Sequence, residues 1–179
     1  MNVLALVGSL RADSTNRALA QAAIAHLPEG STATIFDRTA DLPHYSEDLD
    51  AEGRTPAIAE ELRAAAAAAD ALIVVTPEYN GTLSSVVKNA IDWASRPRED
   101  ACIAGTRTIV LAASGAPYGA EWARKDAVRS LQIAGADVVE ETVGIGSSFE
   151  AFADGRLVDE AADASLRQLV ERLSPVATV

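Results

Sequence analysis

The segment that decides the fold class is NVLALVGSLRADSTNRALAQAAIA, residues 2–25. It begins with a short apolar run over 3–7, which is typical of a strand buried on both faces of a parallel sheet. Gly8 ends the run, a loop with several hydroxyl side chains follows, and the apolar spacing then predicts a helix over 15–27. A buried strand that leads through a loop into a helix is the building unit of α/β folds.

The same alternation continues along the rest of the sequence. Further strands are predicted over 32–36, 71–75, 108–113 and 137–143, and further helices over 55–69, 83–94, 118–134 and 162–173, with Thr82 or Ser84 as the cap of the third helix and Gly135 as the stop of the fourth. Five strands interleaved with five helices need right-handed crossovers, so they predict a parallel sheet with helices on both faces. The length of 179 residues suits a single domain over 1–179.

Composition narrows the class of function. The protein has 15 basic and 26 acidic side chains, a net charge of −11, and such a surface repels nucleic acid. Its one cysteine, Cys102, excludes an internal disulfide and fits a reducing compartment. The N-terminal apolar run is too short for a signal peptide or a membrane span. We therefore expect a cytoplasmic protein that binds neither nucleic acid nor membrane.

Ligands of parallel sheets bind at the carboxyl ends of the strands, which makes the first loop, residues 8–17, a candidate site. The start of the following helix offers unpaired N–H groups and a positive dipole end, which suit a phosphate. The side chains that could add hydrogen bonds are Ser9, Arg11, Ser14, Thr15 and Asn16. Neither G-x-G-x-x-G nor a Walker motif is present, so a phosphate monoester is favoured over a pyrophosphate. An ordinary turn before a capped helix is the alternative.

The second loop, residues 76–81, follows the third predicted strand. Asn80 and Gly81 tolerate a positive φ, which allows successive N–H groups to point at the polar edge of a planar ligand. Tyr79 could lie against the ring of that ligand. An ordinary turn rich in Pro and Gly is the alternative, and Glu78 is interpreted as a solvated carboxylate.

Two motifs in this order resemble the NADPH-dependent FMN reductase family of flavodoxin-like proteins, which includes quinone, chromate and azo-dye reductases. They are Gly8-Ser9-Leu10-Arg11 with Ser14 and Asn16, and Pro77-Glu78-Tyr79-Asn80-Gly81 followed by Lys88-Asn89-Ala90-Ile91-Asp92-Trp93. The resemblance implies a flavodoxin-like three-layer sandwich whose five-stranded parallel sheet has the order 2-1-3-4-5. It also implies a homodimer or homotetramer.

The resemblance further assigns roles to single residues. Ser9, Arg11, Ser14 and Asn16 would hold the FMN phosphate, with Thr15 beside them, and residues 77–81 would line the isoalloxazine ring. Asp92 and Trp93 match the end of a family helix and are interpreted as structural. In the third loop, residues 113–119, the family has a glycine-rich run over the flavin. This protein keeps Ser114, Gly115 and Gly119 but places Ala116-Pro117-Tyr118 between the glycines.

The function that these features predict is an NAD(P)H-dependent flavin reductase. FMN would accept a hydride from NADPH or NADH and pass electrons to a small acceptor, which is a quinone, a metal oxyanion, an azo compound or free flavin. Ping-pong kinetics and no catalytic side chain are expected, because the chemistry belongs to the flavin. A flavodoxin-type electron carrier is the alternative. A response-regulator receiver domain is disfavoured, because it would need an acidic pair at the position of Gly8-Ser9. A hydrolase is also disfavoured, because the sequence contains no G-x-S-x-G motif.

The remaining reactive side chains do not predict a further site. His26 and His44 are far apart in the sequence and lack partners at metal-ligand spacing, so no metal is expected. Cys102 has no triad partner in view and is interpreted as inert. Trp122 is interpreted as packing in the core or in a subunit interface.

Overall fold

The computed structural model describes residues 1–174; residues 175–179 of the predicted single domain lie outside the described residues. In sequence order its strands and helices are β1 (Asn2–Val7), α1 (Thr15–Ala25), β2 (Thr32–Phe36), α2 (Ala57–Ala67), β3 (Ala71–Val75), β4 (Glu78–Tyr79), β5 (Thr82–Leu83), α3 (Ser85–Ala94), β6 (Arg107–Ala113), α4 (Glu121–Ile133), β7 (Asp137–Val138), β8 (Val143–Ile145), α5 (Ser148–Ala151), β9 (Phe152–Ala153), β10 (Arg156–Leu157) and α6 (Glu160–Glu171). Short 3-10 helices lie at Thr39–Asp41 and Arg98–Asp100.

The central sheet is parallel and has the order β2-β1-β3-β6, with β7 and β8 both beside β6. This confirms the predicted flavodoxin-like fold. Val75 of β3 pairs with Val7 of β1 and with Leu111 of β6, while Ala113 pairs with Ile145. The strands therefore end together, and the three candidate loops leave the sheet at one edge.

The predicted fifth strand over 137–143 is wrong as one continuous element. It is divided into β7 and β8, and the residues between them include the exposed side chains of Glu140 and Glu141. Successive side chains of a strand point to opposite faces of the sheet, so a continuous strand would direct one of these carboxylates under a helix. Interrupting the strand keeps both in solvent.

Helices cover both faces of the sheet, as predicted. One core layer packs Leu62 of α2, Trp93 of α3 and Leu131 of α4 against the strands. The other layer packs Leu19 of α1 and Leu166 of α6 against the opposite face. Trp93 is fully buried and is the largest side chain in the core of a protein with only 4% aromatic residues, so most of the packing comes from aliphatic side chains.

Two predicted helix starts are corrected by the backbone around the loops. The helix predicted from 83 begins at Ser85, because Leu83 belongs to β5, and the hydroxyl of Ser84 does not cap it. The helix predicted from 118 begins at Glu121, because Gly119 and Ala120 have left-handed φ values of 57° and 55°. The predicted stop of α4 is confirmed by Gly135, whose φ is 97°.

Two short hairpins and the one-turn helix α5 were absent from the sequence prediction. Each hairpin turns through a pair of residues with positive φ, Asn80-Gly81 between β4 and β5 and Asp154-Gly155 between β9 and β10. These pairs are typical of two-residue type I′ turns. Among residues 1–174, no helix has the length and apolar character that crossing a bilayer requires.

Candidate functional site

In the described part of the protein, the first loop has a row of backbone N–H groups without protein acceptors. Gly8 N donates to Val75 O at 2.8 Å and fixes the start of the loop to β3, and Ser14 Oγ caps α1 by accepting from Arg17 N at 3.2 Å. Within residues 1–174, the N–H groups of residues 9–13, 15 and 16 meet no protein acceptor in hydrogen-bonding geometry. Donors clustered at a helix start form an anion site.

The side chains around these donors differ in what they can offer. Ser9 and Thr15 are half-buried, and Arg11 is exposed and pairs with no carboxylate among the described residues. Ser9 and Arg11 line a cleft of about 310 Å³, closed on its other side by the segment around Thr39. Arg11 therefore remains available to an anionic ligand, whereas the hydroxyl of Ser14 is already committed to the helix cap.

Asn16 has a different role from the predicted contact with phosphate. Its Nδ2 donates to Ala113 O at 2.9 Å, and its Oδ1 accepts from Ala113 N at 2.9 Å. The side chain is buried, so both bonds are shielded from water. This amide ties the start of α1 to the end of β6 and holds the first loop against the third, instead of reaching a ligand.

Gly8 is also required for a reason that the sequence did not indicate. A Cβ at Gly8 would lie 2.3 Å from Ser84 Oγ and 2.7 Å from Val87 Cγ2. The backbone at Gly8 therefore packs closely against the start of α3. The Ser84 hydroxyl beside it is buried and lacks a hydrogen-bond partner in the described part of the protein.

The second loop runs into the β4–β5 hairpin, residues 78–83. Asn80 and Gly81 at its turn have φ values of 51° and 75°, so the predicted positive φ values are confirmed. At its base, the buried Thr76 hydroxyl accepts from Ser84 N at 3.0 Å and donates to Pro77 O at 2.8 Å. Tyr79 is 54% exposed, which leaves its ring free to meet a ligand or a partner.

The interpretation of Glu78 as a solvated carboxylate is wrong. Its Oε2 accepts from Ala123 N at 3.1 Å, in the first turn of α4. Thr82 Oγ1 donates to Asp126 Oδ2 at 2.6 Å, and this hydrogen bond lowers the pKa of Asp126. The hairpin is thus fixed to α4 by two polar contacts between segments far apart in the sequence.

The third loop packs against residues 144–149, which join the end of β8 to the start of α5 and are called the fourth loop below; the sequence analysis missed this segment. Ser114 N donates to Ile145 O at 2.9 Å, and Ser148 N donates to Ser114 O at 3.0 Å. Ser114 Oγ accepts from Ala116 N at 3.1 Å, whereas Gly115 is exposed with open space around its Cα. The glycines and serines directly after the fifth predicted strand were the available sequence signal for this fourth loop.

The long segment between β2 and α2 is held against α3 by the motif that ends in Trp93. Trp93 Nε1 donates to Pro43 O at 2.8 Å, and Asn89 Nδ2 donates to the same oxygen at 3.0 Å. Arg63 binds both carboxylate oxygens of Asp50 at 2.7 Å, and these hydrogen bonds lower the pKa of Asp50. The structural interpretation of Trp93 agrees with these contacts.

The other reactive side chains are engaged away from the loops. His26 Nε2 lies 2.6 Å from Asp163 Oδ1, and the Cys102 thiol donates to Ala94 O at 3.0 Å. Burial raises the pKa of Cys102 and disfavours the reactive thiolate. Residues 1–174 contain no group of three His, Cys, Asp or Glu side chains placed to hold a metal ion. Trp122 is 56% exposed, so packing in the core of the protein is excluded.

Comparison with known proteins identifies the family of this protein. The model of a family described as NADPH-dependent FMN reductase matches residues 1–150. The chain belongs to this family. The match confirms the predictions of an oxidoreductase, of FMN as its cofactor and of NAD(P)H as its reductant.

Individual relatives agree with the family match. An NAD(P)H-dependent FMN reductase of Pseudomonas aeruginosa is 38% identical over 175 residues, which are 97% of this chain and 93% of that protein. A quinone reductase of Pseudomonas putida is 38% identical over 118 residues, 66% of this chain and 62% of that protein. FerB, a flavoenzyme NAD(P)H:(acceptor) oxidoreductase from Paracoccus denitrificans, superposes with a TM-score of 0.83 at 30% identity and covers 96% of this chain and 94% of its own.

The geometry of the first two loops fits FMN in this family setting. The free N–H groups at the start of α1, with Ser9 and Arg11, have the chemistry of a phosphate site. The turn at Asn80-Gly81 and the exposed ring of Tyr79 stand at the same edge of the sheet, as a planar ligand needs.

Proposed function

We propose that this protein is an FMN-dependent NAD(P)H oxidoreductase that binds its flavin across the first three loops and reduces a small acceptor of the quinone class. The observation that carries the proposal is the row of N–H groups over 9–13, 15 and 16, which find no acceptor within residues 1–174, in a member of the FMN reductase family. A capped helix alone would leave only the donors of its first turn free. The extended row suits an anion with several oxygens.

At the phosphate end, the protein supplies donors and one cation. The backbone N–H groups of the first loop bind the phosphate oxygens, with Ser9 and Thr15 adding hydroxyl donors and Arg11 adding a charge-assisted hydrogen bond. This local positive potential offsets the net charge of −11, which would otherwise repel an anionic cofactor.

At the ring end, the protein supplies a rigid surface. We assign Pro77, the turn at Asn80-Gly81 and Tyr79 to one side of the isoalloxazine, and Ser114 with Gly115 to the neighbouring side. Backbone N–H groups of the second loop stabilise negative charge on the reduced ring, as preorganised donors do in an oxyanion hole. Bound FMN supplies the hydride and electron transfer, and the protein supplies binding and orientation.

The acceptor assignment rests on the surroundings of the ring site. Three exposed aromatic rings, Tyr79, Tyr118 and Trp122, lie on the second loop, the third loop and the start of α4, and the last two have ring centroids 6.3 Å apart. Flat apolar rings suit stacking against a planar quinone. Relatives named quinone reductase support the same class.

We also propose that the protein forms a homodimer or homotetramer, acts in the cytoplasm and folds as one domain over 1–179. Exposed aromatic side chains are enriched in subunit interfaces, so we place Tyr118 and Trp122 where the acceptor site adjoins the neighbouring subunit. Sedimentation velocity of wild-type protein and of Trp122→Ala checks the assembly. We expect the wild type to sediment with a mass above the 18.6 kDa of one subunit. The variant should associate more weakly, so that its monomer persists to higher protein concentrations.

Flavin titration and rapid mixing test the function itself. We expect saturable quenching of FMN fluorescence by the apoprotein, with riboflavin, which lacks the phosphate, binding more weakly. We expect NADPH or NADH to bleach the holoprotein within the turnover time and a quinone to restore its colour. A protein that binds FMN but is not bleached is an electron carrier, and one that binds no FMN contradicts the proposal.

A further inference from the structure

Helix α4 begins without a capping side chain of its own. Its N-cap residue is Ala120, in the left-handed region at φ 55° and ψ 48°, and no side chain of the cap residue bonds to the helix. The first N–H groups of a helix have no partner within the helix and need acceptors from elsewhere. Most helices obtain one from a Ser, Thr, Asp or Asn at the cap, which Ala120 cannot provide.

The acceptor comes from the hairpin. Glu78 lies 45 residues earlier in the sequence, and its Oε2 accepts from Ala123 N at 3.1 Å. A carboxylate near a helix N-terminus is favoured by the helix dipole as well as by the hydrogen bond. Asp126, three residues after Ala123 and therefore on the same face of α4, accepts from Thr82 Oγ1 at 2.6 Å. Both strands of the hairpin are thus anchored to one helix face.

The same helix start holds the end of the third loop. Arg124 Nε donates to Gly119 O at 2.9 Å. A Cβ at Gly119 would lie 2.6 Å from the carbonyl carbon and oxygen of Gly144, so the backbones of the third and fourth loops are in direct contact. A displacement of the α4 start would therefore move the third loop with it.

We infer that Glu78 is a positioning residue, whose contact with Ala123 N joins the hairpin and the third loop into one unit through the start of α4. The inference rests on the proposed function in one respect, that this unit faces the isoalloxazine ring. Glu78 is assigned no contact with the phosphate or with the reacting atoms, because its carboxylate bonds to the start of α4. Its effect is to set the distance between the two sides of the ring site.

The first test needs no flavin. Glu78→Ala removes the cap, and Glu121→Gln is the matched control, because Glu121 is in the same helix turn but its carboxylate binds Lys125. In the apoprotein, we expect amide hydrogens of residues 79–83 and 121–124 to exchange about tenfold faster in Glu78→Ala, the factor that a lost charged hydrogen bond of about 1.4 kcal/mol gives. The control should exchange like the wild type. Faster exchange in only one of the two segments would overturn the coupling.

The second test uses flavin binding. We expect Glu78→Ala to weaken FMN and riboflavin by the same factor, about tenfold, because the change lies at the ring end. The visible absorption band of bound FMN should shift in this variant and not in Glu121→Gln. Unchanged ring affinity and an unchanged spectrum, together with faster amide exchange, would make Glu78 a purely structural cap and refute the positioning role.

The two tests separate the inference from the proposed function. If wild-type protein binds no flavin, the proposed function fails, and the amide exchange result still decides the coupling. If Glu78→Ala does not fold, Glu78→Gln replaces it, because the amide keeps an oxygen acceptor and loses only the charge. That variant should show the same pattern with smaller factors, and wild-type behaviour in both measurements would refute the inference.

Discussion

The first loop and the β4–β5 hairpin stand at neighbouring strand ends and use their polar groups in opposite ways. Backbone donors of the first loop over 9–13 have no protein acceptor within residues 1–174, whereas Thr76, Glu78 and Thr82 of the second loop and hairpin all bond within the protein. A phosphate is recognised by donors that must stay available. A planar ring is recognised by the shape of the surface against which it packs, and that surface must be rigid. The difference agrees with the proposed division, in which the first loop binds the phosphate and the hairpin faces the ring.

Removing the support of the first loop should have the largest effect on stability. Asn16→Ala deletes both bonds to Ala113 and leaves a buried N–H and C=O unsatisfied. We expect a loss of about 2–6 kcal/mol in the free energy of unfolding, at about 1–3 kcal/mol for each of the two unsatisfied groups. Urea denaturation monitored by circular dichroism measures it. A loss below about 1 kcal/mol would mean that the tie is dispensable.

Asn16→Asp should make the stability contributed by the same contact depend on pH. A carboxylate cannot donate to Ala113 O, but a protonated carboxyl group can. Folding should therefore raise the pKa of the new carboxyl group, so that its stabilising contribution is complete below the ordinary Asp pKa of about 4 and is lost as the pH rises. The variant should approach wild-type stability in mild acid and fall away towards neutral pH, and a flat difference would exclude this geometry.

The next largest effect should come from the point where the first loop meets α3. Gly8→Ala places a Cβ 2.3 Å from Ser84 Oγ and 2.7 Å from Val87 Cγ2. We expect overpacking to cost about 1–3 kcal/mol of stability. Gly115→Ala is the matched control, because its Cβ would meet nothing within 4 Å, and it should be neutral or stabilising by up to about 1 kcal/mol. Equal losses in both variants would contradict the close contact.

A third region, the segment around Asp50, is held by an ion pair between side chains instead of by hydrogen bonds to the backbone. The hydrogen bonds from Arg63 lower the pKa of Asp50, so this pair stabilises the fold above the ordinary carboxyl pKa and its contribution is lost as the pH falls through the lowered value. Asp50→Asn should cost about 1–2 kcal/mol at neutral pH and flatten the loss of stability below about pH 4. Thermal melts from neutral pH into acid measure this. The exposed Asp48 on the same segment provides the control variant Asp48→Asn, which should keep the wild-type slope.

The smallest effect on stability should come from Arg11. Among residues 1–174, the one hydrogen bond of this exposed side chain is a 3.4 Å contact with Asp13 O, so Arg11→Ala should change the free energy of unfolding by less than about 0.5 kcal/mol. Its effect should appear in ligand binding instead, as weaker affinity for FMN with unchanged affinity for riboflavin. An equal loss of affinity for FMN and riboflavin would mean that Arg11 acts at the ring end of the flavin, which would contradict the proposed difference between the two regions.

Local chemistry accounts for what the sequence predicted correctly. Apolar runs such as residues 71–75 predicted buried strands, and Asn80-Gly81 predicted positive φ, because both depend on neighbouring residues alone. The partners of the Asn16 and Glu78 side chains could not be predicted, since Ala113 and Ala123 lie 97 and 45 residues away. A polar side chain in a loop appears free in a sequence until the fold shows what stands opposite.

The sequence by itself determined the α/β class, the order of the main strands and helices and the edge of the sheet at which the three loops meet, because periodicity and loop composition are local properties. Two of its loop motifs also showed the resemblance to the FMN reductase family. Only the tertiary structure decided which polar groups at that edge form hydrogen bonds between the loops and which stay available to a ligand. It bonded Asn16 to β6, placed Glu78 on α4 and left the backbone of the first loop unpaired within residues 1–174. Hydrogen bonds are made between groups that folding brings within about 3 Å, and that distance is not written in the spacing of residues along the sequence.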